Sequence, residues 1–467
     1  MTWVGHKVVS MSAGSGGRPP AAGLIAVLLA VPGVVIRVAG LHPSPPVAAV
    51  VYGLAIVGAA FLLAWAAEAA QVDISAGLAV ALLALIAVLP EYAVDFVFTA
   101  RGGEAVAAYG PSCLAPGEET SNCSLALANM TGANRILVGV GWALVVVIAW
   151  RRMRARGEPP ATATRVTLGR PDSVAIAFLT VASLYCLVLP FKRTLSLVDS
   201  GVLLAIFVVY SWRVSRAPAG VPDLIGPAAW VGALSRRPRR LTVVAMFLGA
   251  AAVILLTAEH FADSLVETGA QFGISEFLLV QWLAPLASEA PELLVAGLYA
   301  WRLHTTDALG ALLSSKVNQW TLLVGSLPIV FAVSSGGWSG LPIESTQREE
   351  LLLTAAQSLL AVSLLIGRTL TLRAALLLFG LFVGQFVLSA AVPSSWQGRE
   401  LIGLSVVYLV LAALTVFRDR RLVLPLLRDG FITPYRAMGE DMRCTTTAGK
   451  LRLRETIIQV PPRRRDT

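Results

Sequence analysis

The chain has 467 residues, 56% of them hydrophobic and 14% charged, where a soluble protein carries roughly 25% charged and 45–50% apolar residues. So few polar side chains cannot cover so much apolar surface, which excludes a soluble multidomain enzyme, and the hydrophobicity excludes a disordered chain. The 37 Lys+Arg against 28 Asp+Glu leave a net charge of +9, yet the basic residues sit in short clusters between apolar runs, a topology pattern that argues against a nucleic-acid partner.

A helix needs about 20 predominantly apolar residues to cross roughly 30 Å of hydrocarbon. Segments near residues 21–40, 47–70, 75–100, 131–150, 173–190, 197–213, 241–262, 275–301, 308–333, 351–367, 372–392 and 401–417 qualify. The expected fold is an all-α polytopic membrane protein with about 12 transmembrane helices. The first run lies too far from the terminus, and too close to further apolar runs, to read as a cleaved signal peptide.

Basic residues of short loops favour the cytoplasmic side. With the N-terminus inside, 29 of the 37 Lys+Arg fall on that side or at its helix ends. The clusters Arg151, Arg152, Arg154, Arg156 and Arg236, Arg237, Arg239, Arg240 set this registry. Both termini are then cytoplasmic, and the Arg-rich tail from Arg418 to Thr467 is a solvated or lipid-touching appendage that membrane lipid attracts. The loop from Arg101 to about Asn129 falls outside. Its Cys113 and Cys123, ten apart, sit where a disulfide persists, and both disulfide and free thiols stay open. Asn129-Met-Thr fits the glycosylation sequon formally.

Two stretches repeat. Ile74-Ser75 precedes an apolar run ending in Pro90-Glu91, and Ile274-Ser275 precedes one ending in Pro291-Glu292. One helix later, Asn134 stands seven residues before Gly141 and Asn318 seven before Gly325. The orientation drawn from the arginines runs the Glu91 span outward and the Glu292 span inward, so the halves are inverted, as in many transporters.

A carboxylate at the centre of a membrane helix costs roughly 2.5–3.5 kcal/mol on the insertion scale. Glu91, Asp95, Glu289 and Glu292 all lie inside apolar segments, so each must be hydrated, protonated, paired or bound to a cation. Glu91 and Asp95 are four apart, Glu289 and Glu292 three apart, which places each pair on one helix face. Pro90, Pro285 and Pro291 remove backbone donors and free carbonyl oxygens nearby. Hard oxygen ligands suit Ca²⁺ or Na⁺, whereas no His or Cys cluster suits zinc or copper. Asn134, Asn318, Ser314, Ser315 and Thr321 add neutral oxygens. Arg135 and Lys316 are expected as internal counter-ions to the four acids, leaving two negative charges for one divalent or two monovalent ions. A second reading of Lys316 places its ammonium where a co-transported cation would sit. Glu259, Asp263 and Glu267, at spacing four, are read as a vestibule or solvated helix end, and His260 as a packing residue.

These residues resemble the cation/Ca²⁺ exchanger superfamily, whose membrane region includes the sodium/calcium exchangers, and the chain looks like a divergent bacterial-type member. In that family each half carries Gly-Thr-Ser-x-Pro-Glu, followed one helix later by Gly-Ser-Asn-x-x-Asn or a near variant. The resemblance covers about residues 47–392 and implies two inverted five-helix repeats plus one extra helix at each end. The implied divisions are 1–46 with the extra N-terminal span, a first repeat 47–213, a linker 214–240, a second repeat 241–392, an extra span 393–417 and a basic tail 418–467. It implies Glu91 and Glu292 as the central ion-binding carboxylates, with Asn134 and Asn318 lining the same site. Ser288 and Ser314 match the family's hydroxyl positions. The chain departs from the pattern at Ala87, Val88 and Met130, which replace hydroxyl residues, and at Glu289 and Lys316, which add charges.

The expected function is a secondary active antiporter in a bacterial plasma membrane, exchanging Ca²⁺ or another cation for Na⁺ or H⁺ by alternating access. No cofactor is expected, since the inorganic cations Ca²⁺, Na⁺ and H⁺ are themselves the substrates. A Na⁺/H⁺ exchanger of the same fold is the nearest alternative. An intramembrane acid/base enzyme or a transport-inactive scaffold is the alternative of another class. No phosphate-binding Gly-x-x-x-x-Gly-Lys-Ser/Thr loop or His-Glu-x-x-His pattern is present to support ATP-driven pumping or metal hydrolysis.

Overall fold

In a computed structural model, residues 21–73, 89–110, 113–114, 120–217, 224, 226–273, 275–391 and 397–438 are described. The landmarks Ile74-Ser75, Ala87, Val88 and Ile274, the first part of the third expected span, and the tail beyond Met438 lie outside the described residues.

The first two helices are α1 (Ala21–Val38) and α2 (Pro45–Ala70). Prolines at the start of α2 suit a helix N-terminus, where the missing N–H has no partner to lose. The two pack backbone to backbone at Gly58, where a Cβ would stand 2.4 Å from the Ala26 carbonyl oxygen, the small-residue contact typical of membrane helices. Next come α3 (Leu89–Tyr109) and α4 (Asn122–Ile136). The Ser121 hydroxyl caps α4 by accepting from the Ser124 N–H at 3.2 Å. A π turn over Leu137–Trp142 carries α4 into α5 (Ala143–Ala155). Then follow strand β1 (Arg165–Thr167), α6 (Ser173–Cys186), strand β2 (Thr194–Leu195) and α7 (Leu197–Val214).

The second half opens on α8 (Arg236–Phe272), α9 (Glu276–Trp301) and α10 (Thr305–Asn318). A second π turn, Gln319–Leu323, continues into α11 (Val324–Ser335). Strand β3 (Leu341–Pro342), α12 (Ser345–Leu364), strand β4 (Thr369–Thr371) and α13 (Leu372–Ala391) complete it. The last two helices are α14 (Gln397–Arg418) and α15 (Arg420–Phe431).

Eight helical stretches among the described residues are long and apolar enough to cross a membrane. Helices α3 and α9, which hold the four acids, fall outside that set. Helix α8 outruns its expected 241–262 by several residues at each end, reaching 37 residues, or about 55 Å at 1.5 Å per residue. That exceeds the hydrocarbon, so its basic first turns and acidic last turns project beyond it. Gly273, at φ +62°, ends the helix in the left-handed conformation that glycine adopts freely. On the projecting end, Arg101 pairs with Glu259 at 3.1 Å and with Asp263, while His260 packs edge-on to Tyr52.

Two small antiparallel sheets tie the halves together: β1 pairs with β4, and β2 with β3. Helix α6 separates β1 from β2, so the sheets lie at opposite ends of the bundle. At the β1 end, Arg239 binds Asp73 at 2.7 Å, and this hydrogen-bonded guanidinium pulls the Asp73 carboxyl down to about 2. Arg152 stacks over Trp301 at 4.2 Å at the same end. The β2 end holds the Ser121 to Glu344 hydrogen bond and the Cys113–Cys123 disulfide, with an S–S distance of 2.07 Å.

Part of the tail was expected to be an appendage, but α15 is built into the β1 end. Arg170 Nε meets Asp429 Oδ2 at 2.7 Å, and this ion pair holds the Asp429 carboxyl below its usual range. Arg213 donates to the Gly430 carbonyl at 3.2 Å. Gly430 itself fits because a Cβ there would come within 2.3 Å of Ala177 Cβ.

Candidate cation-binding site

Four helices supply the site. Glu91 opens α3 and Asp95 follows one turn later, both buried. Glu289 and Glu292 lie mid-way along α9, where Glu289 is fully buried and Glu292 half-buried. Glu91 and Glu289 meet at the side-chain amide of Gln319. Its Nε2 donates to Glu91 Oε1 at 3.0 Å and also to Glu289 Oε1. Ser315 Oγ donates to Glu292 Oε2 at 2.6 Å, and Asn129 Nδ2 donates to Asp95 Oδ1 at 2.8 Å.

The structure brings Glu91, Glu289 and Glu292 together and holds Asp95 one turn away. Several buried oxygens of this cluster accept no hydrogen bond: Glu91 Oε2, Asp95 Oδ2, Glu289 Oε2, Asn318 Oδ1 and Gln319 Oε1. Buried acceptors are normally satisfied, and two carboxylates in contact in a dry site need a proton or a cation between them. Among the described residues no three His, Cys, Asp or Glu side chains converge in metal-holding geometry. The acids meet in pairs, and amide oxygens are the remaining donors. That is an oxygen set suited to an ion that must also leave.

The two π turns place these amides. Asn134 lies just ahead of the first turn and Asn318 just ahead of the second, with Gln319 as its first residue. A π turn inserts extra chain per turn and re-aims the side chains around it, which is why such turns concentrate at functional sites. Helix α9 runs on through Pro285 and Pro291. Pro285 has no N–H for the Gln281 carbonyl, and that oxygen points at Gly132, where a Cβ would sit only 1.7 Å away. Helix α4 thus lies directly on α9 beside the acids.

Arg135 is not a counter-ion of the acidic cluster. Its Nη2 pairs with Glu350 Oε2 at 2.5 Å, and its guanidinium stacks on Trp282 at 4.8 Å. One residue on a helix turns the side chain by about 100°, so Arg135 faces away from the direction of Asn134. Lys316 pairs with no carboxylate among the described residues; its Nζ donates to the carbonyl and the Oδ1 of Asn134, each at 2.7 Å. Ser314 meets the Tyr210 hydroxyl at 2.9 Å, and its neighbour Ser315 reaches Glu292 instead. Ser288 Oγ turns back to the Pro285 carbonyl at 3.2 Å. Asn129 is not a sugar acceptor site, being 1% exposed and bound to Asp95.

Sequence reasoning missed Gln319, Asn129 and Glu350. Gln319 directly follows Asn318 and carried a signal in that adjacency; Glu350 sits in a polar helix start, Gln347-Arg348-Glu349-Glu350, that reads as solvated. The Arg135 to Glu350 pair is buried on both sides, with side chains 1% and 9% exposed. Replacing Glu350 with Gln is expected to destabilise the protein by about 3–5 kcal/mol, because it strands a buried charge. The double change Arg135→Met with Glu350→Met should cost less than either single change. Thermal unfolding in detergent reads the difference.

The family described as sodium/calcium exchanger protein matches residues 44–215 and 242–391. The chain belongs to the sodium/calcium exchanger family. The crystal structure of the H⁺/Ca²⁺ exchanger CAX is similar to it at 36% sequence identity and a TM-score of 0.77, over 87% of this chain and 96% of that one. Native YfkE shares the fold at 15% identity and a TM-score of 0.55, over 77% of this chain and 97% of that one. A selenium-substituted Ca²⁺/H⁺ antiporter YfkE structure matches at 15% identity and 0.52, over 84% and 99%. No curated protein sequence matches the chain.

As an exchanger of this family the protein is an integral membrane cation antiporter, and its relatives are transporters rather than enzymes. The two matched stretches of the exchanger family bracket the basic linker and include both Pro-Glu landmarks. All four acids of the cluster lie within them.

Proposed function

We propose that the protein exchanges a divalent cation, Ca²⁺ first, for protons across the membrane. The carrying observation is that one buried amide, Gln319 Nε2, donates to both Glu91 and Glu289 and so holds two carboxyls together. Such carboxyls are held together by a shared proton or by a cation, so one site binds either species but not both at once. Competition of that kind is what an antiporter needs: each ion is released by the arrival of the other, and only differential affinity moves the protein between its open states. The relative at 36% identity, described as an H⁺/Ca²⁺ exchanger, supports the same pair of ions.

Alternating access by two inverted repeats is part of this reading. What supports it is the strand pairing. In chain order β1 and β2 flank the fourth helix of the first repeat as β3 and β4 flank that of the second. Exchanging the repeats therefore turns the β1 to β4 pair into the β3 to β2 pair, at the other end of the bundle. The β1 end, which carries both Arg clusters, is the cytoplasmic one in this reading. Glu91, Glu289, Glu292, Asn318 and Gln319 bind the ion, with Asp95, Ser288 and Asn129 supporting them.

Purified protein in liposomes tests the proposal. An imposed pH gradient, acidic inside, is expected to drive Ca²⁺ uptake together with alkalinisation of the lumen. Ca²⁺ movement with no change of internal pH, or no divalent flux at all, would falsify it.

A further inference from the structure

Lys316 is fully buried, at 0% exposure, yet its surroundings are not those of a counter-ion. Its Nζ donates to two oxygens of a single residue, the Asn134 carbonyl and Asn134 Oδ1, both at 2.7 Å, and it lies 5.2 Å from the centre of the Trp320 ring. Glu289 and Glu91 are close enough to act on it electrostatically without pairing with it. A backbone carbonyl and a side-chain oxygen converging on one point is the arrangement with which proteins replace the hydration shell of a monovalent cation. Asn134 Nδ2 is engaged with the Met130 carbonyl at 2.9 Å, which fixes the amide so that its oxygen faces Nζ.

The matching residue of the second half is in the opposite condition. Asn318 stands seven residues before Gly325 as Asn134 stands seven before Gly141, and both lie just ahead of a π turn. Asn318 is 2% exposed, and its Oδ1 accepts no hydrogen bond. Of two corresponding amide oxygens, one is occupied by the end of a lysine of this chain and the other is open, on the residue next to Gln319, whose amide holds Glu91 and Glu289.

We infer that Lys316 Nζ permanently fills one of two cation subsites, so that no Na⁺ enters at Asn134 and the exchanged ion uses only the open subsite around Glu91, Glu289 and Asn318. Position 316 thereby decides whether the antiporter has a place for sodium. The inference rests on the antiport reading for its functional meaning, but the vacancy can be read by binding alone. Shortening the side chain in Lys316→Ser leaves the Asn134 oxygens unoccupied and adds a hydroxyl beside them, which is a monovalent-cation site in place of an amine.

The test uses detergent-solubilised protein first, without transport. NaCl, compared with choline chloride at the same ionic strength, is expected to raise the unfolding temperature of Lys316→Ser by about 2 °C or more and to leave the unaltered protein unmoved. In liposomes, Ca²⁺ flux of the variant should rise at least about tenfold with Na⁺, a differential of about 1.4 kcal/mol, while flux of the unaltered protein stays indifferent to Na⁺. A folded Lys316→Ser that Na⁺ neither stabilises nor stimulates overturns the inference. Lys316→Ala serves the same measurement if the serine variant does not fold. A Na⁺ gradient that drives Ca²⁺ through the unaltered protein overturns it without any variant. Failure of the proton-exchange reading would instead appear as absent pH-driven flux in the unaltered protein, with the Na⁺-induced thermal shift still present.

Discussion

Glu91→Gln and Glu289→Gln are each expected to lower Ca²⁺ flux in liposomes by at least about 100-fold. Both carboxylates accept from the NH2 group of Gln319, one hydrogen for each, which draws two buried carboxylates to one neutral amide and leaves their second oxygens open, so they cannot both stay ionised without a further proton or cation. A glutamine at either place brings its own N–H groups against that donor and removes a charge the divalent ion must find. Removing one partner of a buried charged contact costs about 3–5 kcal/mol, and each 1.4 kcal/mol is a tenfold change in affinity. Glu292→Gln is expected to fall in the same class, because Ser315 Oγ holds the carboxyl of Glu292 at 2.6 Å beside Glu289. The discriminating control is Glu350→Gln, whose carboxylate is engaged with Arg135 away from the cluster. It should lose stability while its folded fraction keeps Ca²⁺ flux. Wild-type flux in Glu91→Gln or Glu289→Gln would remove these residues from the site.

The second large effect comes from a residue with no side chain. Gly132→Ala is expected to reduce the yield of folded protein severely, and to cut flux at least about tenfold in what remains. The added Cβ would stand 1.7 Å from the Gln281 carbonyl oxygen and 2.8 Å from its carbon. Both are backbone atoms, so no rotamer change relieves the clash and α4 has to move off α9. Overpacking of a close-packed interior costs typically about 1–3 kcal/mol, and more where backbone must shift. The displacement also carries Asn134, two residues on, away from Nζ of Lys316. Gly249→Ala is the control: nothing lies within 4 Å of a Cβ there, and alanine is the better helix former by about 1 kcal/mol. Fluorescence-detected size exclusion of the two variants, followed by flux, separates a packing effect from a general intolerance of substitution.

The membrane class, the helical character and the placement of acids inside apolar segments were legible in the composition. A chain with 14% charged residues has few places to put them, and the acids in α3 and α9 stand out against their apolar neighbours. The pairing of Glu91 with the Glu289 and Glu292 pair was legible as well, because the Pro-Glu landmark occurs twice. Which loops share an end was legible from the arginines: the contacts between loops join Asp73 with Arg239 at one end and Ser121 with Glu344 at the other, the grouping that the basic residues had given them.

The partners of individual side chains were not legible. Arg135 and Lys316 look alike in the sequence, each a cation within two residues of an asparagine, yet one binds Glu350 and the other Asn134. Ser314 and Ser315 are neighbours, and only the second reaches an acid. On a helix each step turns a side chain by about 100°, and the π turns at Leu137–Trp142 and Gln319–Leu323 break the period from which a facing could be counted. The sequence by itself determined that this chain lies in a membrane and carries carboxylates there that must be hydrated, protonated, paired or bound to a cation, since transfer energies depend on residue type alone. Only the tertiary structure decided that Gln319 joins two of those carboxylates and that Lys316 lies on Asn134, because those contacts link helices up to 228 residues apart and depend on rotation and register that packing alone sets.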